Sequence, residues 1–203
     1  MDKAFEIFTF ITGVIYIVLE IRQKNFMWVV GILTSLAAMY MFFCKGLYAS
    51  FGLNTYYLVT SFIGIWHWRR DKEIIKAESD DTVHLNRLTR SDVLVGAAVA
   101  IMGVVALTLG MELLGRIGMR ENPMSLLDAI ATMLSVVATW WLVRSYIQQW
   151  WLWIVADALS TYLCLSQDMW WMALLYGAYA ASAVIGYLHW KRHGVYVDAN
   201  VTS

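Results

Sequence analysis

Asp157 is the residue of this sequence with most chemistry to offer. It lies in the middle of an apolar stretch, WWLWIVADALSTYL, preceded by Trp150 and Trp153 and followed by Thr161. Steps of three or four residues place all four on one face of a helix. A carboxylate in hydrocarbon is costly and wants a cation. Aromatic faces attract cations by about 0.5–2 kcal/mol each. The constellation therefore suits recognition of a small cationic ligand. The competing reading is that Asp157 pairs with a tyrosine, serine or other polar group only to hold helices together.

Three more stripes share this spacing. Asp128, Thr132, Ser135 and Thr139 form one. Asn54, Tyr57, Ser61 and Gly64 form another, and Tyr176, Tyr179, Ala183 and Gly186 the last. Asp128 falls near the end of its apolar segment, where a solvated helix-start carboxylate is ordinary, so a scaffold role stands beside a binding one. Asn54 and Tyr57 could hydrogen-bond a ligand or bridge helices. Trp28 joins the candidates as the counterpart of Trp150. His67 and His189 sit beside basic residues at segment ends, which fits interfacial positions better than a proton relay. Trp68, Trp170 and Trp190 read as interfacial anchors. Cys44 and Cys164 read as small apolar filler, and no Cys/His spacing suits a metal. No cofactor and no metal are expected.

These residues need elements that can hold them. Of 203 residues, 60% are hydrophobic, 15% are charged and one is proline. A soluble domain of this size cannot cover so much apolar surface, so the bilayer is the solvent. Net charge is zero, and nothing points to nucleic acid. Seven apolar stretches approach the roughly 20 residues a span requires, at about 5–21, 26–43, 47–68, 91–114, 124–143, 147–165 and 169–190. The first has neither a basic flank nor a small-residue cleavage site and reads as a helix, not a signal peptide. Residues 69–90 form the only extended polar loop.

The chain also repeats itself without a gap. Glu6 aligns with Asp128, Arg22 with Arg144, Trp28 with Trp150, Tyr57 with Tyr179, Gly64 with Gly186 and Trp68 with Trp190. Three spans reverse the chain's direction, so the unpaired span 91–114 is needed between two parallel repeats, 5–68 and 124–190. The fold class expected is an all-α, polytopic membrane protein in a three-plus-one-plus-three order, forming one transmembrane domain. With loop 69–90 in the cytoplasm, eleven of the fifteen Lys and Arg residues fall inside and four outside. The positive-inside rule then places the N-terminus outside and the C-terminus inside.

Residues 28–68, WVVGILTSLAAMYMFFCKGLYASFGLNTYYLVTSFIGIWHW, resemble the signature of PnuC-type vitamin transporters: Trp28, Gly31 and Ile32, then Leu47 and Tyr48, Asn54, and Gly64 with Trp68. Asn54 stands where glutamine is frequent, and Ser50 where aspartate is. The second half resembles the family through Asp128, Trp150, Trp153 and Asp157. The resemblance spans all seven segments. It implies a fold like a full-length SWEET sugar transporter, a homotrimer, and facilitated diffusion of nicotinamide riboside with trapping by a cytosolic kinase. Related clades carry thiamine or riboflavin. On this reading Asn54 and Tyr57 would meet a carboxamide or ribose hydroxyl, and the bacterial plasma membrane is the expected location.

Two other classes remain open at this point. Asp128 and Asp157 could serve as acid and base of a membrane-embedded enzyme, although no nucleophile or phosphate loop accompanies them. A sensor would bind without flux.

Overall fold

A computed structural model describes residues 3–44, 48–75, 82–116 and 125–197. Part of the polar loop (76–81), Lys45, Leu47, Arg120 and the expected repeat start at 124 lie outside the described residues. The fold is all-α, as expected, with seven helices among the described residues: α1 (Lys3–Ile21), α2 (Phe26–Cys44), α3 (Tyr48–Ile75), α4 (Arg90–Arg116), α5 (Ser125–Val143), α6 (Gln149–Ser166) and α7 (Trp170–His193). At 1.5 Å per residue these reach roughly 27–42 Å, against a hydrocarbon core of about 30 Å. By length and composition alone, Arg90–Leu113, Leu126–Val143 and Met172–His193 can cross a membrane, and Thr12–Ile21 and Phe26–Tyr40 are shorter apolar stretches. Large apolar side chains such as Leu94, Ile101, Met102 and Leu113 of α4 are exposed, as a lipid-facing surface requires.

The repeat appears in the helix bounds. α1 and α5 each have 19 residues and begin and end at aligned positions. α2 and α6 follow suit to within one residue, and α3 and α7 start in register, whereas α4 has no counterpart. α4 opens on a capping box. The Thr89 hydroxyl donates to Asp92 Oδ2 at 2.6 Å, and the Asp92 amide donates back to Thr89 Oγ1 at 3.2 Å.

The polar loop departs from expectation. α3 continues to Ile75, beyond the expected end at 68. Strand β1 (Val83–Leu85) then pairs in parallel with β2 (Gly194–Tyr196), His84 opposite Val195. All three β1 residues are buried.

The chain forms two compact units, one holding the chain up to Asn86 with Leu142–Ile147 and the segment from Leu188 on, the other holding Arg87–Trp141 and Gln148–Tyr187. In the first, α2 lies so close to α3 that a side chain at Gly64 would collide with the Trp28 ring. In the second, the aligned pair repeats this contact: Gly186 of α7 receives the Trp150 ring of α6. Small residues let these helices approach without a backbone clash. α4 meets α5 the same way, with Gly96 against Val137 and Trp141.

Candidate functional site

Hydroxyls along the helices mostly satisfy themselves. Ser135 donates to the Ala131 carbonyl at 2.9 Å and Thr139 to that of Ser135 at 2.9 Å. Thr161 donates to the Asp157 carbonyl at 2.7 Å, and Ser61 to that of Tyr57 at 2.7 Å. Such back-bonds to the preceding turn occupy the hydroxyl's donor and leave it only acceptor lone pairs to offer a ligand.

Asp157 is different. The residue is 8% exposed, and among the described residues its carboxylate makes no hydrogen bond and no ion pair. Within the second unit it lies close enough to Tyr176 and Tyr179 for its charge to bear on both phenols. Those rings stand edge to face, 6.1 Å apart at 89°. Tyr176 also lies near Cys164 and Asp128, the latter in the first turn of α5. One turn before Asp157, the Trp153 indole N–H is buried and has no hydrogen-bond partner among the described residues. Thr132 is half-buried and equally unbonded. The second unit thus gathers a carboxylate, two phenols, an indole and a second carboxylate, which is the composition of a cation site.

Trp150 and Trp28 stand apart from this group. They are 2% and 0% exposed, and each ring is pressed on its glycine. They hold α6 to α7 and α2 to α3. Asn54 and Tyr57 belong to the first unit, both half-buried. Tyr16 of α1, which the sequence reading did not single out, lies near Glu20 and Tyr57. Its aligned position is Ala138, so the repeat gave no hint of it. An apolar groove of about 540 Å³ between α6 and α7, lined by Thr161, Leu165, Trp170 and Leu174 among others, offers a cation almost no polar atoms.

The expectation that Trp68 and Trp190 are lipid-facing anchors is overturned. Both are fully buried in the first unit, although Trp170 is exposed. The Trp68 indole donates to the Leu142 carbonyl at 3.2 Å. The Trp190 indole donates to the Ile21 carbonyl at 3.0 Å and less closely to that of Glu20. Hydropathy marked these rings as lying at span ends but could not tell which way they face.

Seven membrane helices carrying buried, unpaired polar groups are the build of a small-molecule transporter. The profile of the nicotinamide mononucleotide transporter family matches residues 3–192, and the chain belongs to that family. It is 25% identical over 196 residues to the nicotinamide riboside transporter PnuC of Neisseria mucosa, covering 90% of this chain and 72% of that one. It is 22% identical over 183 residues to the PnuC of Haemophilus influenzae, covering 90% and 76%. The crystal structure of a vitamin B3 transporter PnuC superposes with a TM-score of 0.62 at 24% identity, covering 93% of this chain and 80% of that one. A transporter family leaves no place for the embedded-enzyme reading of Asp128 and Asp157.

Proposed function

We propose that this protein carries nicotinamide riboside across the bacterial plasma membrane. The observation that carries this reading is the buried Asp157 carboxylate, which has no hydrogen-bond or ion-pair partner among the described residues, in a chain whose curated relatives are named as nicotinamide riboside transporters. Nicotinamide riboside has a fixed positive ring that such a carboxylate and its aromatic neighbours would neutralise. The mononucleotide adds a phosphate, which needs arginine, lysine or a helix N-terminus. No Lys or Arg lies within 48–68, 91–114, 126–143 or 149–166, so the unphosphorylated nucleoside is the better match.

Asp157, Trp153, Tyr176 and Tyr179 form the primary contact group, with Thr132 and Asp128 nearby; Asn54 and Tyr57 are the candidates of the first unit. Trp28 and Trp150 act through packing. The two three-helix repeats would rock about α4 in alternating access. No ATP-binding motif is present, so the device equilibrates its substrate and a cytosolic kinase traps it. The N-terminus lies outside, loop 69–90 and the C-terminus inside, and the family resemblance implies a trimer.

Uptake into proteoliposomes tests this. Labelled nicotinamide riboside should rise to the external concentration and stop at zero membrane potential. Uphill accumulation driven by a proton or sodium gradient would refute facilitated diffusion. Thiamine is a second reading, because it too carries a fixed cationic ring. Competition by unlabelled thiamine, riboflavin and the mononucleotide ranks the alternatives.

A further inference from the structure

One end of the first unit is locked by contacts that cross from one repeat to the other. Gln23, in the α1–α2 loop, donates to the Ser145 hydroxyl in the α5–α6 loop at 3.3 Å, and the two residues are 122 positions apart, the repeat offset itself. Trp68 of the first repeat caps the last turn of α5, and Trp190 of the second caps the last turn of α1. Between these layers runs a strap, residues 83–86. Gln23 grips it at both backbone groups of His84, accepting from its N–H at 2.7 Å and donating to its carbonyl at 2.9 Å. Asn86 fastens the strap's other end to the Arg144 carbonyl at 3.0 Å and to Asp71 Oδ2 at 2.7 Å, and its amide donates to the Ser145 carbonyl at 3.2 Å. Gln23, Trp68, Val83, Ser145 and Trp190 are fully buried, so this end is shut.

A carrier must release its ligand at both faces. On this face the ends of α1, α3, α5 and α7 converge on the two tryptophans and the strap. Contacts within a repeat survive when repeats part, whereas these cross-repeat contacts cannot. The chemistry suits reversible parting. The Glu20 and Leu142 carbonyls also accept the Gln23 and Ser145 amides, at 3.0 and 2.9 Å, and so keep a partner when an indole leaves, while water can replace the indole at the helix-end carbonyl of Ile21. We infer that Trp68, Trp190, Gln23, Ser145 and the 83–86 strap form the inner gate of the carrier, here closed. The inference rests on the transport reading and its orientation.

The test uses the full chain in proteoliposomes, with Cys44 and Cys164 replaced by alanine. In Gln23→Cys/Ser145→Cys, a short reducible bifunctional thiol reagent should lower nicotinamide riboside uptake by at least about tenfold, and reduction should restore it. Substrate binding from the outside should persist in the linked protein. Uptake by the linked protein at the unlinked rate would make these contacts a fixed clasp and overturn the gate. Should the double variant fold poorly, Ser145→Cys alone serves. Its buried thiol should react with an inside-added, impermeant reagent faster during transport than at rest. Equal labelling with and without transport overturns the proposal. Wild-type protein that takes up no nicotinamide riboside would instead refute the substrate reading.

Discussion

Trp68 and Trp190 hold aligned positions in the two repeats, and their rings meet edge to face with centroids 6.4 Å apart. Two large side chains at aligned positions thus touch one another. Trp28 extends the cluster, 5.0 Å from Trp68, and His84 closes it from the strap at 5.6 Å.

Removing one of these rings should be expensive. Trp190→Ala loses a fully buried indole, at about 3–5 kcal/mol. Trp190→Phe keeps most of the packing but orphans the helix-end carbonyl, at about 1–3 kcal/mol. Thermal melts in detergent should rank wild type above Phe and Phe above Ala. Equal melting of the Phe and Ala variants would show that the hydrogen bond carries the effect.

Adding one carbon at the packed glycines should also destabilise. Gly64→Ala and Gly186→Ala drive a methyl into Trp28 and Trp150 and should each cost about 1–3 kcal/mol. Gly177→Ala meets nothing within 4 Å. It should be neutral or stabilise by up to about 1 kcal/mol, because alanine suits a helix better. Melting points of the three variants decide the matter.

His84 gives the fold a pH dependence. Burial lowers its imidazole from 6.5 to about 3, with the Lys72 and His67 charges adding to the effect. The unfolded chain therefore takes up a proton that the folded one refuses. Stability from this group is complete above pH 6.5 and falls as pH drops toward 3, at up to about 1.4 kcal/mol per pH unit. His84→Phe, which keeps an aromatic ring against Trp68, should flatten the melting temperature between pH 7 and pH 5. An unchanged slope would remove His84 from the account.

Asp157→Asn keeps shape and deletes charge. Nicotinamide riboside binding should weaken by about 1.5–3 kcal/mol, the worth of a charge-assisted contact. Stability should hold or rise, since a buried, unpaired carboxylate is a burden to the fold. Calorimetric titration beside a thermal melt separates the two effects. Unchanged affinity would return Asp157 to a structural role.

Arg87 is exposed just beyond the strap. A cysteine there should label from the cytoplasmic side of intact cells only after permeabilisation. Labelling in sealed cells would invert the assigned topology.

Much of the fold was legible because hydrocarbon imposes a simple rule and duplication states it twice. Aligned pairs such as Trp28 with Trp150 and Gly64 with Gly186 do in space what they do in sequence. Asp157 was legible because a carboxylate there has no cheap excuse. The strap was not. Val83-His84-Leu85 is three residues inside a charged stretch, and its partner strand lies beyond α7, so no local pattern announces it. Trp68 and Trp190 were misread because a ring at a span's end has the same hydropathy whether it meets lipid or its own counterpart. The Gln23–Ser145 bond joins a long amide to a short hydroxyl, and pairing by residue type would not find it.

β1 and Asn86 run in a single direction and bond residues of both repeats. No rotation that exchanges the repeats can leave them unchanged. Gln23 holds the strand's backbone with a long amide, while the aligned Ser145 is too short to do the same and meets Asn86 through its own carbonyl instead. The fused chain therefore has an asymmetric interior that a two-fold pair of identical half-length copies could not have, and its two halves are free to diverge in what each contributes to motion.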